Sequence, residues 1–275
     1  MVARIKAHGA FGLLLTAGLF TLGASAPAAA QAPGGTAANV DGAFIQKNAA
    51  DSKSWPSIGL DYAETRFSKL KQIDTSNVKQ LGLAWSYNLE STRGVEATPL
   101  VVDGVMYVSA SWSIVHAIDV RTGKRLWVYD PKVPRDQGFK GCCDVVNRGV
   151  AVHKGKVYVA SYDGRLIAIN AATGQKVWEK DTITDRKFSY TITGAPRVFK
   201  GNVVIGNGGA EYGVRGYLTA YDAETGEQKW RWYTVPGDPS KPFENEAMAK
   251  AAKTWDPAGQ WWVTGGGGTA WNSIT

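Results

Sequence analysis

The chain has 275 residues, of which 44% are hydrophobic and 20% are charged, and this composition is typical of a globular protein rather than a disordered one. Lys and Arg (31) outnumber Asp and Glu (24), but no run of five or six basic residues occurs, which argues against a nucleic-acid-binding protein. The 32 Gly, 11 Pro and 11 Trp residues favour many short strands joined by tight turns.

Residues 1–30 have the pattern of a secretory signal peptide. Arg4 and Lys6 precede an apolar run from Phe11 to Leu22, and small residues then supply a cleavage site. The run is shorter than the roughly 20 apolar residues that a membrane-spanning helix needs. No Cys lies near the cleavage site, so we predict export to the periplasm without a stable membrane anchor, in a compartment where disulfides form.

Residues 31–80 are predicted to form a polar lead into the fold, and Leu81 to Leu89 the first strand. Residues 81–275 then contain a repeat. The pattern Asp/Asn-x-x-Thr-Gly-x-x-x-Trp ends at Trp127, Trp178 and Trp230, which are 51 and 52 residues apart. A period near 50 is typical of an all-β fold, the β-propeller, with about four strands in each blade. We therefore predict an incomplete arc of about three to four blades, in which each repeat Trp docks one blade against its neighbour.

The repeats also share an earlier hairpin turn, and their spacing shows two insertions. The turns end at Gly104, Gly155 and Gly201, where Gly supplies the positive φ that such turns require. From this Gly to the repeat Trp the count is 23, 23 and 29 residues, so six residues are inserted in the third repeat, around 206–216. The connection from Trp127 to the next hairpin Gly is also long, and it contains both cysteines of the chain.

Cys142 and Cys143 are neighbours in sequence. Adjacent Cα atoms lie about 3.8 Å apart, below the usual disulfide range, so a bond between them would close a small strained ring of the kind that collects at functional sites. The alternative is a pair of buried free thiols.

Three polar residues occupy equivalent positions, because Glu96, Asn147 and Thr193 each precede their hairpin Gly by eight residues. Equivalent positions of successive inner strands converge on the propeller axis, and Arg148 lies beside them. A carboxylate, an amide, a guanidinium and a hydroxyl would suit a polar, multiply anionic small ligand. Alternatively, Glu96 is a solvated turn residue, Arg148 pairs with Asp144, and Thr193 is an ordinary strand residue without a role in binding.

Glu211 lies in the Gly-rich insertion, where a carboxylate beside exposed carbonyls would suit a hard cation such as calcium. It could equally lie at the tip of a surface loop. Four consecutive glycines, 265–268, let the backbone approach another group closely. Trp271 after them is out of phase with the repeat and could stack on a planar ligand.

Several motifs together resemble the PQQ-dependent (pyrroloquinoline quinone) alcohol dehydrogenases. They are Glu96-Ala-Thr-Pro, Gly141-Cys-Cys-Asp-Val-Val-Asn-Arg-Gly-Val, Ile192-Thr-Gly-Ala-Pro, Gly208-Gly-Ala-Glu-Tyr-Gly-Val-Arg-Gly-Tyr and Gly265-Gly-Gly-Gly-Thr-Ala-Trp. The resemblance is greatest to the ethanol type and its quinohaemoprotein relatives. It implies an eight-bladed propeller with the quinone on its axis, in a periplasmic enzyme that oxidises primary alcohols by hydride transfer to PQQ.

The same resemblance implies residue roles. Cys142 and Cys143 would form a vicinal disulfide on one face of the quinone, with Trp271 on the other, and Glu211 would bind the metal, calcium or a lanthanide. The remaining cofactor-binding residues would be Glu96, Arg148, Thr193, Gly209, Ala210 and Thr269.

Other parts that the resemblance implies would lie beyond Thr275. These are the general-base Asp, a further Asn or Asp metal ligand, most of the remaining blades and any domain carrying haem c. A cytochrome c would accept the electrons. The alternatives are a non-catalytic propeller with this repeat, acting as an assembly or scaffold protein, and a methanol-type quinoprotein.

Overall fold

Antiparallel strands in three four-stranded sheets dominate the computed structural model, which describes residues 37–272 and 274. In each sheet the strands pair in chain order. Blade 1 contains β1 (Leu100–Val102), β2 (Val105–Ser109), β3 (Val115–Asp119) and β4 (Arg125–Tyr129). Blade 2 contains β5 (Ala151–His153), β6 (Lys156–Ala160), β7 (Arg165–Asn170) and β8 (Lys176–Asp181). Blade 3 contains β9 (Arg197–Phe199), β10 (Asn202–Gly206), β11 (Tyr217–Asp222) and β12 (Gln228–Tyr233). The predicted all-β propeller arc is confirmed.

The hairpin turns between the first two strands of each blade are those that the sequence predicts. Both central residues have positive φ in every blade, for example 50° and 77° at Asp103 and Gly104. This is the type I′ turn, whose twist matches that of the flanking strands. In each blade the pairing between the third and fourth strands also has a register shift next to the repeat Trp. In blade 1 this shift lies between Ala117, which pairs with Trp127, and Ile118.

Apolar side chains from neighbouring blades form two continuous cores. Leu100 and Tyr107 of blade 1 are fully buried with Val157 and Ile167 of blade 2. A second cluster joins blades 2 and 3 through residues that include Tyr158 and Ile205. Each blade is therefore stabilised by burial against its neighbour rather than by a core of its own.

The segment before the blades packs on the same core. Helix α1 (Gly42–Asn48) is capped by Asp41, whose carboxylate accepts from the Phe44 amide. The backbone of Trp55 pairs with Val101 at the edge of blade 1. A second helix, α2 (Glu246–Ala252), follows blade 3. Within the described ranges no helix is both long enough and apolar enough to cross a membrane. The predicted signal peptide lies outside the described residues.

Trp127 and Trp178 each dock their own blade against the next one, as the sequence predicts. The Trp127 indole N–H donates to the Ala171 carbonyl (2.9 Å), and that of Trp178 donates to the Ala223 carbonyl (3.2 Å). Each ring also covers the Gly of the neighbouring blade's Thr-Gly turn. Trp230, at the same position of blade 3, is 46% exposed.

The predicted strand from Leu81 to Leu89 is wrong. This segment has no strand assignment, and no strand in the described part of the chain pairs with it to complete a ladder. Leu83 is 86% exposed. Trp85 nevertheless donates to the Val120 carbonyl (2.8 Å) and covers Gly123, so it makes the same contact as the repeat tryptophans.

Replacing Gly174 by Ala tests the docking contact. Gly174 has φ 73°, and a Cβ there would lie 2.8 Å from the Trp127 ring. Gly201 has φ 75° with nothing within 4 Å of such a Cβ, so it is the matched control. We expect Gly201→Ala to lower the free energy of unfolding by about 1 kcal/mol, and Gly174→Ala by at least about 2 kcal/mol more. Equal losses in a urea titration would contradict the docking role of Trp127.

Candidate cofactor and metal site

The segments that lead into the three blades meet at one end of the arc. The Thr98 amide donates to the Arg148 carbonyl (3.3 Å), and the Arg148 amide donates to the Thr193 carbonyl (2.9 Å). These backbone hydrogen bonds link residues about 50 positions apart and place their side chains side by side. The convergence that the repeat register predicts is confirmed for this part of the chain.

Arg148 lies at the centre of the converging residues. Its guanidinium is 3.0 Å from the Glu96 carboxylate and donates to the Thr193 hydroxyl at 2.5 Å. It also lies over the Trp271 ring, 4.9 Å from the centroid. The alternative pairing with Asp144 is wrong, because Asp144 forms its ion pair with Arg93. Arg148 therefore presents one fixed positive charge among a carboxylate, a hydroxyl and an indole.

Asn147 does not face this site, so its place in the expected ring of polar groups is wrong. The side chain is buried and bonded within the protein. Its amide donates to the Ala160 carbonyl (2.9 Å), and its carbonyl oxygen accepts from the Ser109 hydroxyl (2.6 Å). These bonds fix the backbone that carries Arg148.

Cys142 and Cys143 form a disulfide, as the resemblance implies, and both are exposed rather than buried free thiols. The loop that carries them rests on Tyr162, which is fully buried. The Tyr162 hydroxyl donates to the Gly138 carbonyl (3.1 Å), and a Cβ on Gly141 would lie 2.4 Å from that hydroxyl. Burial raises the pKa of Tyr162, so this support is a neutral phenol.

The glycines at 265–268 approach protein backbone. All four have positive φ, from 67° to 84°, which a residue with a side chain rarely adopts. The Gly216 amide donates to the Gly267 carbonyl (2.8 Å), so the run lies along the Gly-rich insertion of blade 3. This packing brings Thr269 and Trp271 to the same end of the arc as Arg148.

Both insertions and the C-terminal segment enclose one cavity of about 160 Å³. Its lining combines a disulfide, one guanidinium, hydroxyls, two carboxylates and an indole. The lining residues are Gly141, Cys142, Cys143, Asp144, Val146, Arg148, Thr191, Thr193, Gly208, Gly209, Glu211, Thr269 and Trp271. Glu96 joins this set through its ion pair with Arg148. Ala210 borders a different, more open depression beside Trp255.

Glu211 is exposed and follows Gly209 at the start of a single 3₁₀ turn, Ala210–Tyr212. It makes no hydrogen bond or ion pair with another described residue. Its carboxylate is therefore free to bind a cation from the cavity wall. Within the described ranges no three His, Cys, Asp or Glu side chains form a metal-binding cluster, so Glu211 could supply one ligand of a larger set.

The structure adds five residues to the site that the sequence-based prediction does not include: Gly141, Asp144, Val146, Thr191 and Gly208. Thr191 pairs with Gly208 across two segments, a contact that no spacing in the sequence indicates. For Asp144 the signal in the sequence is its position directly after the cysteine pair.

Blades docked by repeat tryptophans, with a cavity that combines charged, hydroxyl and aromatic groups where their leading segments meet, define a β-propeller with a candidate cofactor site. Residues 55–271 match the family described as PQQ: Glucose/ethanol/alcohol dehydrogenase, beta-propeller domain. The chain belongs to this family, and the resemblance seen in the sequence is confirmed.

Curated relatives agree with this assignment. The quinohemoprotein alcohol dehydrogenase of Comamonas testosteroni is 66% identical over 274 residues, covering 98% of this chain and 39% of the relative. The 1-butanol dehydrogenase (cytochrome c) of Thauera butanivorans is 66% identical over 206 residues, covering 75% of this chain and 30% of the relative. This chain therefore spans less than half the length of these relatives.

A crystal structure of the quinohemoprotein alcohol dehydrogenase from Comamonas testosteroni superposes with a TM-score of 0.86 at 72% identity. The match covers 87% of this chain and 36% of that one. The three blades are thus similar in arrangement to part of that longer chain.

Proposed function

We propose that the protein to which this chain belongs oxidises small primary alcohols, with PQQ as hydride acceptor and a divalent metal as Lewis acid. One observation carries the proposal: Arg148, the Cys142–Cys143 disulfide, Glu211 and Trp271 meet at one cavity although they come from three separate segments. The names of the two relatives, both dehydrogenases of alcohols, support the reaction class.

The residues present fit a planar, multiply anionic quinone. Arg148 supplies a fixed cation, Thr191, Thr193 and Thr269 supply hydroxyl donors, and Trp271 supplies a flat apolar surface. When bound, PQQ would accept a hydride from the alcohol. The protein's part is to orient it: Arg148 would hold a carboxylate of the quinone while Glu96 and Thr193 hold the guanidinium.

A metal ion would balance the charge of this site. Glu96, Asp144 and Glu211 bring three negative charges, against two positive charges from Arg93 and Arg148. An anionic quinone would increase the excess, so the site needs a further cation to hold it. The free carboxylate of Glu211 would bind that cation, which we propose to be calcium, or a lanthanide, because both prefer oxygen ligands.

Four further parts of the proposal depend on residues outside the described ranges or outside this chain. The signal-like pattern of residues 1–30 supports a periplasmic location. The general base would be an Asp downstream of Thr275, and a cytochrome c is the proposed electron acceptor, as in the name of the Thauera relative. The word quinohemoprotein in the name of the Comamonas relative supports a haem c domain in the full-length protein.

Titration of the full-length apoprotein with PQQ and calcium tests the proposal. We expect tight, saturable binding of one PQQ per chain and dye reduction with ethanol or 1-butanol that requires both additions. Stronger activity with methanol would favour the methanol-type alternative. A protein that binds neither PQQ nor calcium would contradict the proposal and favour a non-catalytic propeller.

Glu211→Gln tests the metal site. The substitution removes one anionic oxygen from the cavity wall without changing the shape of the residue, so we expect calcium to bind at least about tenfold more weakly and PQQ-dependent turnover to fall with it. Glu227→Gln is the control, because Glu227 is an exposed carboxylate on the outer turn of blade 3. Metal content and turnover equal to the wild type would place Glu211 in an ordinary surface loop.

A further inference from the structure

Asp144 has an unusual conformation at the edge of the cavity. It follows the disulfide directly, and its φ is 73°, in the left-handed region that few residues with a side chain adopt. Asp tolerates this region because its short carboxylate can accept nearby backbone hydrogen bonds. The contacts of that carboxylate therefore show what holds the conformation.

Three donors from the protein occupy the Asp144 carboxylate. One oxygen accepts from the Val145 amide (2.7 Å), the other accepts from the Gly94 amide (3.2 Å), and the guanidinium of Arg93 forms an ion pair with the group. Arg93 and the two amides hold the pKa of Asp144 below its ordinary value, so the group is a carboxylate at neutral pH. Both oxygens of Asp144 are therefore bonded to donors of the protein itself.

These contacts join two walls of the site. Gly94 and Arg93 precede Glu96 on the segment that leads into blade 1, whereas Asp144 belongs to the disulfide loop between blades 1 and 2. Val146 packs on the same segment, because a Cβ on Gly94 would lie 3.2 Å from one of its methyl groups. At the other end, the Glu96 carboxylate holds Arg148. The disulfide and the Glu96–Arg148 pair are therefore held together through two ion pairs.

We propose that Asp144 is a positioning residue, which holds the Cys142–Cys143 disulfide in register with the Glu96–Arg148 pair so that both meet the same bound quinone. This inference deepens the proposed function and rests on it for the identity of the ligand. Asp144 itself donates nothing to the ligand. Its effect is to remove the freedom of the disulfide loop before binding, so that less entropy is lost when the quinone binds.

Asp144→Asn in the full-length apoprotein tests the proposal. Asn keeps the size of the side chain and tolerates positive φ. The substitution therefore removes only the negative charge and replaces one acceptor oxygen by an amide NH₂ group. We expect the dissociation constant for PQQ, measured by quenching of tryptophan fluorescence, to rise about tenfold. We expect little change in the thermal unfolding midpoint, and faster reaction of the disulfide with dithiothreitol because the loop is less firmly held.

Asp130→Asn is the matched control. Asp130 also forms an ion pair, with Lys132 at 2.9 Å, and accepts from the Lys132 amide (2.8 Å). It lies on the same connection between blades 1 and 2 but does not line the cavity. PQQ affinity and the disulfide reaction should both match the wild type in this variant.

Two substitutions of Arg93 keep the proposal testable if Asp144→Asn does not fold. Arg93→Gln should reproduce the loss of PQQ affinity, and Arg93→Lys, which retains the ion pair, should restore most of it. Wild-type affinity in Asp144→Asn or in Arg93→Gln would overturn the proposal. If the wild type itself binds no PQQ, the proposed function fails, and the dithiothreitol reaction alone decides whether Asp144 holds the disulfide loop.

Discussion

Arg148→Met in the full-length apoprotein is expected to weaken PQQ binding by about 100-fold. Arg148 is the one cation among the described residues that line the cavity, and its guanidinium is held by Glu96 (3.0 Å) and Thr193 (2.5 Å) over the Trp271 ring. Methionine removes the charge and leaves the Glu96 carboxylate unpaired beside an anionic ligand. Losing one partner of such a charged pair typically costs about 2–5 kcal/mol of binding free energy. A cost in the lower half of that range raises the dissociation constant by about 100-fold.

Arg135→Met provides the control for this substitution. Arg135 also lies over an indole, that of Trp112 at 4.3 Å, but it does not line the cavity. Fluorescence titration should therefore give wild-type affinity for Arg135→Met. If Arg148→Met binds PQQ as tightly as the wild type, the cavity described here does not hold the quinone.

Residues 31–275, expressed alone, are expected to show no alcohol dehydrogenase activity even with PQQ and calcium added. Each cavity carboxylate in the described ranges already has a role: Glu96 pairs with Arg148, Asp144 pairs with Arg93, and Glu211 is the proposed metal ligand. None is left to accept the proton of the alcohol. The absence of a general base typically costs about 10²–10⁴-fold in rate.

Exposed apolar surface should weaken the isolated fragment further. Trp230 and Trp232 on β12 are 46% and 45% exposed, and an apolar cavity of about 490 Å³ lies beside Leu100 and Val152. In a closed propeller such surfaces meet further blades, so we expect the fragment to aggregate or to bind PQQ loosely. Ethanol-dependent dye reduction by the purified fragment would show that it already contains a base. The full-length protein, assayed in parallel, is the positive control.

The repeat explains why most of the fold could be predicted from the sequence. Each blade uses the same local contacts, so the spacing of Trp127, Trp178 and Trp230 indicates the architecture before any long-range contact is known. The predicted strand from Leu81 to Leu89 is wrong because an alternating pattern cannot show whether a neighbouring strand exists. Trp85 makes the docking contact, yet it lies 42 residues before Trp127 and so outside the period of about 51.

The site was only partly predictable for a different reason. Repeat register places Glu96, Asn147 and Thr193 together, but it does not show which way each side chain points. Asn147 turns into the protein because Ser109 and the Ala160 carbonyl, from two different blades, are its partners. Contacts between distant segments of this kind, like the one between Gly94 and Asp144, exist only after the blades have packed.

A crystal structure of the full-length protein with PQQ and calcium would test the central claim most directly. We predict that the quinone lies between the Cys142–Cys143 disulfide and the Trp271 ring, with a carboxylate against Arg148 and calcium bound by Glu211. PQQ bound anywhere else on the protein, or calcium bound without Glu211, would contradict the assignment of this cavity.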